Sequence, residues 1–554
     1  MATPVTSALA ARARHWTTLL TSWISVTGTA GEVEFPNLLL AALRDSSHFR
    51  AHLSDVELWP VAGDPPGRAC LAAIVRGAGR ATVVLTGHFD TVPVDDYGDL
   101  APLAGEPDAL RQALIARLKA TGGHPLALAD LESGEFLPGR GLLDMKAGLA
   151  AGLAVLEAFA ADPDRIGNLI FLAVPDEENQ SAGMRAAAPE LIRFAKRNSL
   201  DLKLAINLDA ICDNGDGRAG QVIAKGTIGK LLVSALAVGK EAHACYPLDG
   251  VNAAYLAAEL VTEMEMTPEL AEFTGHEIAV PPTVLGVRDL KPSYNVTTPG
   301  RAWVFWNVIT QTRGADEVLQ TAETLATRAM AFALKRISAR NARLEYPMNQ
   351  SSAWSNIRVK RFAEVFEAAC QADASFEQRF RALAAELCCR ADLDFPTRSQ
   401  VLAEFAFAAS AIPAPVIILL IGSVPYPARR LTDPAIEQLL GEVARSVSRD
   451  FATAVTPTAF FPAISDMSFL GPADHADVAV LAKNTPLWGS SVVWEAIDPA
   501  ADFAVINIGP WGRDYHHWLE RAHERYTFEV LPELVRRAAA AVLASSVQAS
   551  PLGA

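Results

Sequence analysis

The sequence is poor in cysteine and contains no long hydrophobic run. Six cysteines are spread over 554 residues, and none are spaced as C-x-x-C. This usage is typical of a reducing compartment and argues against a disulfide framework. The longest apolar runs, such as PVIILLIG from Pro415, fall well short of the roughly 20 residues that span a bilayer. No signal-peptide pattern is present at the N-terminus, so we expect a cytoplasmic protein without a membrane partner.

Basic residues are also few. There are 48 Lys and Arg against 63 Asp and Glu, which gives a net charge of −15 at pH 7. A surface of that sign repels phosphate backbones, so we expect no nucleic-acid partner. Half of the residues are hydrophobic and 20% are charged, as in globular proteins. At roughly 150 residues for an average domain, the length predicts more than one domain.

The order of apolar segments predicts a split α/β protein. Over residues 1–215, short strand-like runs alternate with helical segments, which indicates a mostly parallel sheet covered by helices. The pattern changes after the Gly-rich stretch 212–221 and becomes α+β, with extra helices at about 340–410. Helix and strand patterns resume near residue 431. We therefore predict a catalytic domain made of 1–215 and 431–554, interrupted by an inserted domain at 216–430.

Histidines and acidic residues follow four of the predicted strands. In open α/β sheets, ligands bind beyond the carboxyl ends of the strands, so these side chains are expected to meet at one edge. A further acid precedes the helix predicted from residue 145. The residues concerned are His88, Asp90, Asp144, Glu177, Glu178, Asp209, His516 and His517.

Each of these residues alone has an ordinary structural explanation. A single histidine is more often a loop or core residue than a ligand, and adjacent acids such as Glu177 and Glu178 are usually solvated or favoured by a helix N-terminus. Asp144 fits a helix N-cap, and Asp209 fits the start of a turn. Together, however, they need a shared counter-charge. Two histidines and three acids suit two metal ions with a bridging carboxylate, which leaves one of the adjacent glutamates free to move protons.

Five motifs carry a resemblance to a known family. They are GHFDTV, GRGLLDMKAG, PDEE, NLDA and the late pair His516 and Glu520. In this order they resemble the di-zinc metallopeptidase family twenty, which includes aminoacylase, acetylornithine deacetylase, glutamate carboxypeptidase and peptidase T. The length and the PWG…H ending are most similar to its arginine-utilisation (RocB-type) branch. The resemblance implies a zinc-exopeptidase fold with an inserted lid domain, and hydrolysis of an amide bond in a small peptide or N-acyl amino acid.

The resemblance also implies a pair of divalent metal ions. Zn²⁺ is expected, with Co²⁺ and Mn²⁺ as alternatives. The ligands would be His88 and Asp209 for one ion, Glu178 and His516 for the other, and Asp144 as the bridge between them. It further implies a cis peptide bond immediately after the bridging aspartate.

Four other residues receive roles from the same resemblance. Glu177 would be the general base, and Asp90 would orient His88. In the lid, His243 would donate a hydrogen bond to the developing oxyanion, and Asn295 would contact the substrate. Ordinary loop contacts are the alternative for His243, and an Asx-turn is the alternative for Asn295. The ISDMSF segment also resembles a loop that lines the family's active site.

Some choices stay open at the level of sequence. His516 is preferred over His517 as a ligand because its four-residue spacing to Glu520 matches the family ending. Many relatives carry a carboxylate-binding arginine on a lid strand, but this chain has none at its equivalent position, leaving Arg301 or Arg288 as substitutes.

The extra helices could replace a partner's lid in a monomer or enlarge the contact of a homodimer. The competing functional hypothesis is a catalytically silent homologue that binds a ligand or regulates a partner. A third is a structural protein with a single metal ion. Glu177→Gln would distinguish the silent homologue from an enzyme, because an enzyme should lose turnover while retaining metal. Metal counting would distinguish the structural protein, which would hold one equivalent instead of two.

Overall fold

The structure is a computed structural model that describes residues 4–61, 67–213, 220–274, 277–278, 280–344, 354, 356–390, 392–471, 474–495, 497 and 501–548. The chain forms two compact units. The first comprises Met1–Thr227, Arg429–Pro472 and Glu495–Ala554, and the second comprises Ile228–Ala428 and Ala473–Trp494.

The described helices and strands are numbered in chain order. The helices are α1 Pro4–Ser22, α2 Ala30–Arg44, α3 Ser47–Ala51, α4 Pro107–Thr121, α5 Pro125–Ser133, α6 Ala147–Ala161, α7 Ala182–Arg197, α8 Ala253–Met264, α9 Ala315–Leu344, α10 Phe362–Ala372, α11 Phe376–Cys388, α12 Phe395–Ala409, α13 Pro434–Phe451, α14 His475–Asn484 and α15 Leu531–Gln548. The strands are β1 Val56–Pro60, β2 Ala69–Arg76, β3 Ala78–His88, β4 Phe136–Pro138, β5 Ile166–Val174, β6 Asp201–Asn207, β7 Ile211–Cys212, β8 Gln221–Ala224, β9 Gly226–Thr227, β10 Gly229–Val238, β11 Phe273–Thr274, β12 Glu277–Ile278, β13 Thr283–Asp289, β14 Arg301–Thr310, β15 Arg358–Arg361, β16 Val416–Ile421, β17 Arg429–Arg430, β18 Val455–Thr458, β19 Ala504–Asn507, β20 Trp511–Arg513 and β21 Arg521–His523.

The first unit is built on an eight-stranded mixed sheet in the order β1-β2-β5-β3-β6-β19-β8-β18. Its centre, β5-β3-β6-β19, is parallel, whereas β2 runs antiparallel to both β1 and β5. The central strands are buried over most of their length, which explains why they appear in the sequence as continuous apolar runs. The expected α/β fold is confirmed, and its parallel strands direct their carboxyl ends to one edge.

A small sheet stands next to that edge, in the order β4-β21-β20-β7. The hairpin of β20 and β21 pairs Gly512 with Ala522 and Arg513 with Arg521. The segment between these strands carries His516 and His517. The hairpin therefore fixes both ends of the segment in which the sequence predicts a ligand.

The second unit has a five-stranded sheet in the order β13-β14-β10-β16-β15. Helices α8 and α9 pack together beside it, and Trp303 and Trp306 of β14 are fully buried. The sequence pattern places 431–554 in the catalytic domain, but Ala473–Trp494 groups with the second unit. The reason is packing, since α14 contacts α9 and α10, and the Asp477 carboxylate accepts a hydrogen bond from the Ala315 nitrogen.

Among the described residues, no helix combines the length and the apolar character that crossing a bilayer requires.

Candidate metal centre

Three side chains meet at the carboxyl ends of β3 and β6. His88 ends β3, and its Nε2 lies 3.2 Å from Asp144 Oδ1 and 3.9 Å from Asp209 Oδ1. All three residues are buried. One potential ligand atom from each falls within 4.8 Å of the others, a spacing that suits a single cation. We refer to these three residues as the first ligand group.

A second set of three residues shares Asp144 with the first. His516 Nε2 lies 3.1 Å from Asp144 Oδ2 and 3.1 Å from Glu178 Oε2. These ligand atoms also lie within 4.8 Å of one another, and we call Asp144, Glu178 and His516 the second ligand group. Asp144 therefore directs one oxygen to each group, which is the arrangement that a bridging carboxylate requires.

Glu177 lies beside the first ligand group without belonging to either group. Its Oε2 is 3.9 Å from His88 Nε2, and its side chain is 13% exposed. Burial raises the pKa of Glu177 well above its usual value; His88 opposes this shift, while the Asp209 and Asp466 carboxylates reinforce it. Glu177 is thus a carboxyl group with a raised pKa that lies within reach of the centre but outside the two ligand sets.

Asp90 holds the centre together in two ways. Its carbonyl oxygen lies 3.0 Å from His88 Nδ1, and its carboxylate is 3.6 Å from the same atom. The carboxylate also accepts hydrogen bonds from the backbone nitrogens of Glu177 and Glu178, at 3.1 and 3.2 Å, and from Thr27 Oγ1 at 2.9 Å. Asp90 therefore fixes both the ring of His88 and the loop that carries the paired glutamates.

The raised pKa values of residues in the two ligand groups indicate a site that favours positive charge. Burial would lower the pKa of His516, but hydrogen bonds to Asp144 and Glu178 raise it to about 10. The pKa of His88 also rises well above its usual value through Asp144 and Asp90, despite burial. Burial and the Asp144 charge raise the pKa of Asp209 to about 8. In the absence of metal, bound protons supply the charge that divalent ions would supply, so the donor set fits two such ions.

The backbone around Asp144 and Asp209 helps to position these two ligands. The peptide bond between Asp144 and Met145 is cis, as predicted. The Asp209 nitrogen donates to Asn507 Oδ1 at 3.1 Å, and Asn507 Nδ2 donates back to the Asp209 carbonyl at 2.8 Å. Gly509 passes so close to Asp209 that a Cβ there would lie 1.8 Å from its carbonyl oxygen. This position therefore requires glycine.

The two adjacent histidines point to different surroundings. His516 meets Asp144 and Glu178, whereas His517 Nδ1 accepts a hydrogen bond from the Leu519 nitrogen at 3.3 Å. The ring of His517 lies 6.1 Å from that of His124. The geometry therefore brings His516 into the second ligand group and directs His517 away from it.

A protein-family comparison is consistent with this centre. The model of peptidase family M20/M25/M40 matches residues 84–429.

The chain belongs to peptidase family M20/M25/M40.

The relatives agree with this M20 membership. The uncharacterized protein YqjN of Bacillus subtilis (strain 168) is 31% identical over 542 residues, covering 97% of this chain and 97% of YqjN. Protein RocB of the same organism is 29% identical over 550 residues, covering 97% and 96%. The M20 metallo-carboxypeptidase Sso-CP2 of Sulfolobus solfataricus has a TM-score of 0.50 at 13% identity, over 96% of this chain and 99% of its own, and shows the shared fold. The predicted family is confirmed, and the M20 protein is a metal-dependent amidohydrolase.

The second unit of this M20 chain carries His243 and Asn295 on neighbouring loops. The Ala244 nitrogen donates to the Val296 carbonyl at 3.0 Å, which joins the loops, and both candidate residues are exposed. His243 Nδ1 accepts from the Cys245 nitrogen at 3.2 Å. Asn295 Oδ1 accepts from the nitrogen and hydroxyl of Thr297, which is the Asx-turn considered as its ordinary explanation.

The two arginines considered as substitutes for a substrate-binding arginine both contact helix α12. Arg301 Nη1 lies 2.8 Å from Glu404 Oε1. Arg288 Nη2 donates to Thr397 Oγ1 and Gln400 Oε1, at 3.0 and 2.6 Å. Both guanidinium groups already have partners on one of the extra helices. A substrate carboxylate would have to displace those partners.

Arg68 and Glu32 carried no assignment at the level of sequence, and Asp466 had one only through the resemblance of the ISDMSF segment to an active-site loop. Arg68 pairs with both Glu32 and Asp176, and all three residues are buried. Asp176 directly precedes Glu177 in the sequence. Asp466, in the segment that resembles an active-site loop, is 1% exposed. Burial raises its pKa to about 7, and the side chain of Ser181 partly offsets this rise. The PDEE motif showed Asp176 only as a third acid, and nothing in the sequence linked it to Arg68.

Proposed function

We propose that this M20 protein hydrolyses the amide bond of a small peptide or an N-acyl amino acid at the centre formed by the two ligand groups. The observation that carries the proposal is the position of Asp144, whose two oxygens face His88 and His516 while Glu177 stands outside both groups. Zn²⁺ is the proposed metal, with Co²⁺ and Mn²⁺ as alternatives. The two ligand groups would hold two divalent ions, which would supply a lowered pKa for water and polarisation of the substrate carbonyl.

Glu177 is the proposed general base. Its carboxylate is basic because it is buried among other acids, and its Oε2 is only 3.9 Å from a ligand nitrogen. It would take the proton from the attacking water and deliver it to the leaving amine. Asp90 supports this role because it holds the backbone nitrogen of Glu177 as well as the ring of His88.

His243 and Asn295 are the proposed contributions of the second unit. His243 would donate a hydrogen bond to the oxyanion, and Asn295 would contact the substrate. Their exposure on adjoining loops supports the proposal because each side chain is accessible to a ligand.

The substrate class follows from the family and from the chemistry of the second unit. Dipeptides and N-acyl amino acids are the proposed substrates, with arginine derivatives included because of the sequence resemblance to the arginine-utilisation branch. Arg301 and Arg288 are engaged with α12, so substrates with a blocked carboxylate belong in the same screen.

A substrate screen combined with Glu177→Gln tests the proposal. The wild-type protein should hydrolyse at least one of these compounds and lose that activity in a chelator. Glu177→Gln should lower kcat by about 10²–10⁴-fold and retain two equivalents of metal, because Glu177 is outside both ligand groups. Glu190→Gln is the control, since Glu190 pairs with Arg193 and Arg197 on the surface of α7. Unchanged turnover in Glu177→Gln, or one metal equivalent in the wild type, would contradict the proposal.

A further inference from the structure

His516 is held by a segment with an unusual backbone. Asp514 and His516 have φ angles of 56° and 60°, in the left-handed region that few residues other than glycine adopt. Such a conformation is strained for a residue with a side chain and persists where the surroundings determine it. The His516 side chain is 44% exposed, so burial does not fix its position. Something else must hold this segment in place.

Arg521 provides that constraint from the far end of the segment. Its side chain is 1% exposed, and its Nη1 binds the Asp514 carboxylate and the Leu519 carbonyl. Its Nε and Nη2 donate to Asp130 Oδ2 at 2.9 and 2.6 Å. A single guanidinium group therefore ties the residue two positions before His516 to helix α5.

Arg513 completes the network at the other end of the hairpin. Its Nη1 donates to both carboxylate oxygens of Asp130, at 2.8 and 2.7 Å. The Phe136 ring lies 5.2 Å from the Arg513 guanidinium carbon and 5.7 Å from that of Arg521. Asp130 thus accepts hydrogen bonds from Arg513, at the end of β20, and from Arg521, at the start of β21. The segment that carries His516 connects these two arginines.

The other ligands are held by different residues. The loop of Glu178 rests on Asp90, and the backbone of Asp209 rests on Asn507. Arg513 is less selective than Arg521, because its Nη2 is 3.7 Å from Asp213, four residues after Asp209. The side chains of Arg521 and Asp514 contact each other and the segment that carries His516, so their effect should fall mainly on the second ligand group.

We infer that Arg521 and Asp514, anchored on Asp130, are positioning residues for His516, and that they set the metal affinity of the second ligand group independently of the first. This inference rests on the proposed function, because it requires both groups to bind metal. Weakening a residue that orients a metal ligand typically costs about 10–100-fold in affinity. The expected loss is confined to one of two binding steps.

Calorimetric titration of the chelator-treated full-length protein with Zn²⁺ tests the inference. His516→Ala identifies the step that belongs to the second group, and Asp209→Asn identifies the step of the first. Asp514→Asn and Arg521→Lys should raise the Kd of the His516 step about 10-fold or more and leave the Asp209 step within about twofold. Asp514 is 39% exposed, so Asp514→Asn keeps the test available if the buried Arg521→Lys protein does not fold.

Arg537→Gln is the matched control, because Arg537 also binds two acids, Glu533 and Asp450, but lies on α15. It should change neither step. Equal weakening of both steps in Asp514→Asn, or no weakening of either, would overturn the inference. If the wild type binds fewer than two Zn²⁺ ions, the proposed function itself fails, and the inference fails with it.

Discussion

The carboxylate of Glu520 accepts a hydrogen bond from the backbone nitrogen of Asp144, with 3.3 Å between the two atoms. The same carboxylate accepts from the nitrogens of Gly141 and Leu143, at 3.2 and 3.0 Å, and pairs with Arg140 at 3.1 Å. One fully buried side chain therefore holds the turn that presents the residue shared by both ligand groups.

Replacing Glu520 with glutamine should weaken both ligand groups. The amide keeps one acceptor oxygen but introduces a donor toward backbone nitrogens, and it removes the charge that faces Arg140. We expect metal affinity to fall about 10–100-fold at both steps, in contrast to the single step affected by Asp514→Asn. The free energy of unfolding of the metal-free protein should fall by about 1–3 kcal/mol, as for buried donors that lose an acceptor, because Arg140 keeps its second partner Asp96. Calorimetry and urea unfolding measure the two effects.

Glu524→Gln supplies the control for this comparison. Glu520 lies directly before strand β21 and Glu524 directly after it, but the Glu524 carboxylate binds Arg14 and Arg111 rather than the Asp144 turn. It should leave both metal-binding steps unchanged. Normal metal affinity in Glu520→Gln would show that the Asp144 turn does not depend on this carboxylate.

Metal binding should release protons at neutral pH. The pKa of His516 is raised to about 10, so we expect its ring to carry a proton in the metal-free protein at pH 7.5, and the carboxylates of Asp144 and Asp90 raise the pKa of His88 in the same direction. Each ring must lose a proton to coordinate a cation. We expect the release of more than about one proton per chain, measured by calorimetry in buffers of different ionisation enthalpy. His516→Ala should lower the number.

The same shift predicts how the metal-free protein responds to pH. A histidine whose pKa is raised in the folded state stabilises the fold fully below its unfolded pKa of about 6.5. The contribution of His516 is therefore lost as the pH rises through about 10. Thermal unfolding in a chelator should show a larger fall in Tm between pH 7 and 10 for the wild type than for His516→Ala. Parallel pH profiles would contradict this assignment.

Part of the candidate centre could be expected from the sequence, at the positions where ligand-type residues follow predicted strands. His88 and Asp209 each follow an apolar run that forms a central strand, so their convergence could be expected from strand order alone. The antiparallel strands β1 and β2 were not predicted. The alternation of strands and helices, on which the prediction relied, begins only at β3.

The supporting contacts were not predictable from the sequence. Asp130 and Arg521 are 391 positions apart, and Glu520 and Asp144 are 376 apart. Neither pair belongs to a periodic pattern or a local motif, and each depends on how the small β4-β21-β20-β7 sheet is assembled. Ligand types can be recognised from a motif, whereas the residues that orient them require the tertiary structure.

Substitution of His243 should lower turnover without affecting metal binding. His243 is exposed on a loop of the second unit, and its described hydrogen bond is with the Cys245 nitrogen. If it donates to the oxyanion, His243→Ala should reduce kcat about 10²–10³-fold, with two equivalents of metal retained. Cys245→Ser is the control on the same loop and should have little effect. A His243→Ala enzyme with normal kcat would remove this residue from the proposed mechanism.

Strand β13 should mediate self-association of the chain. It is an edge strand of the five-stranded sheet, and Leu285 and Val287 on it are 56% and 55% exposed. The Val284 nitrogen on this strand already donates to the Glu265 carboxylate, but an edge strand that exposes apolar side chains is a template for pairing with another strand. The homodimer alternative would cover this edge with a second copy of the chain, whereas the monomer alternative would leave it exposed.

Sedimentation velocity should therefore show a dimer that dissociates on dilution. The double change Leu285→Lys with Val287→Lys places like charges along the edge, so the dissociation constant should rise about tenfold or more. Leu53→Lys is the control for adding charge at an exposed leucine, because Leu53 is 55% exposed but belongs to the first unit. A wild-type protein that stays monomeric at every concentration would rule out β13 as a dimer contact and leave the exposure of Leu285 and Val287 without a partner.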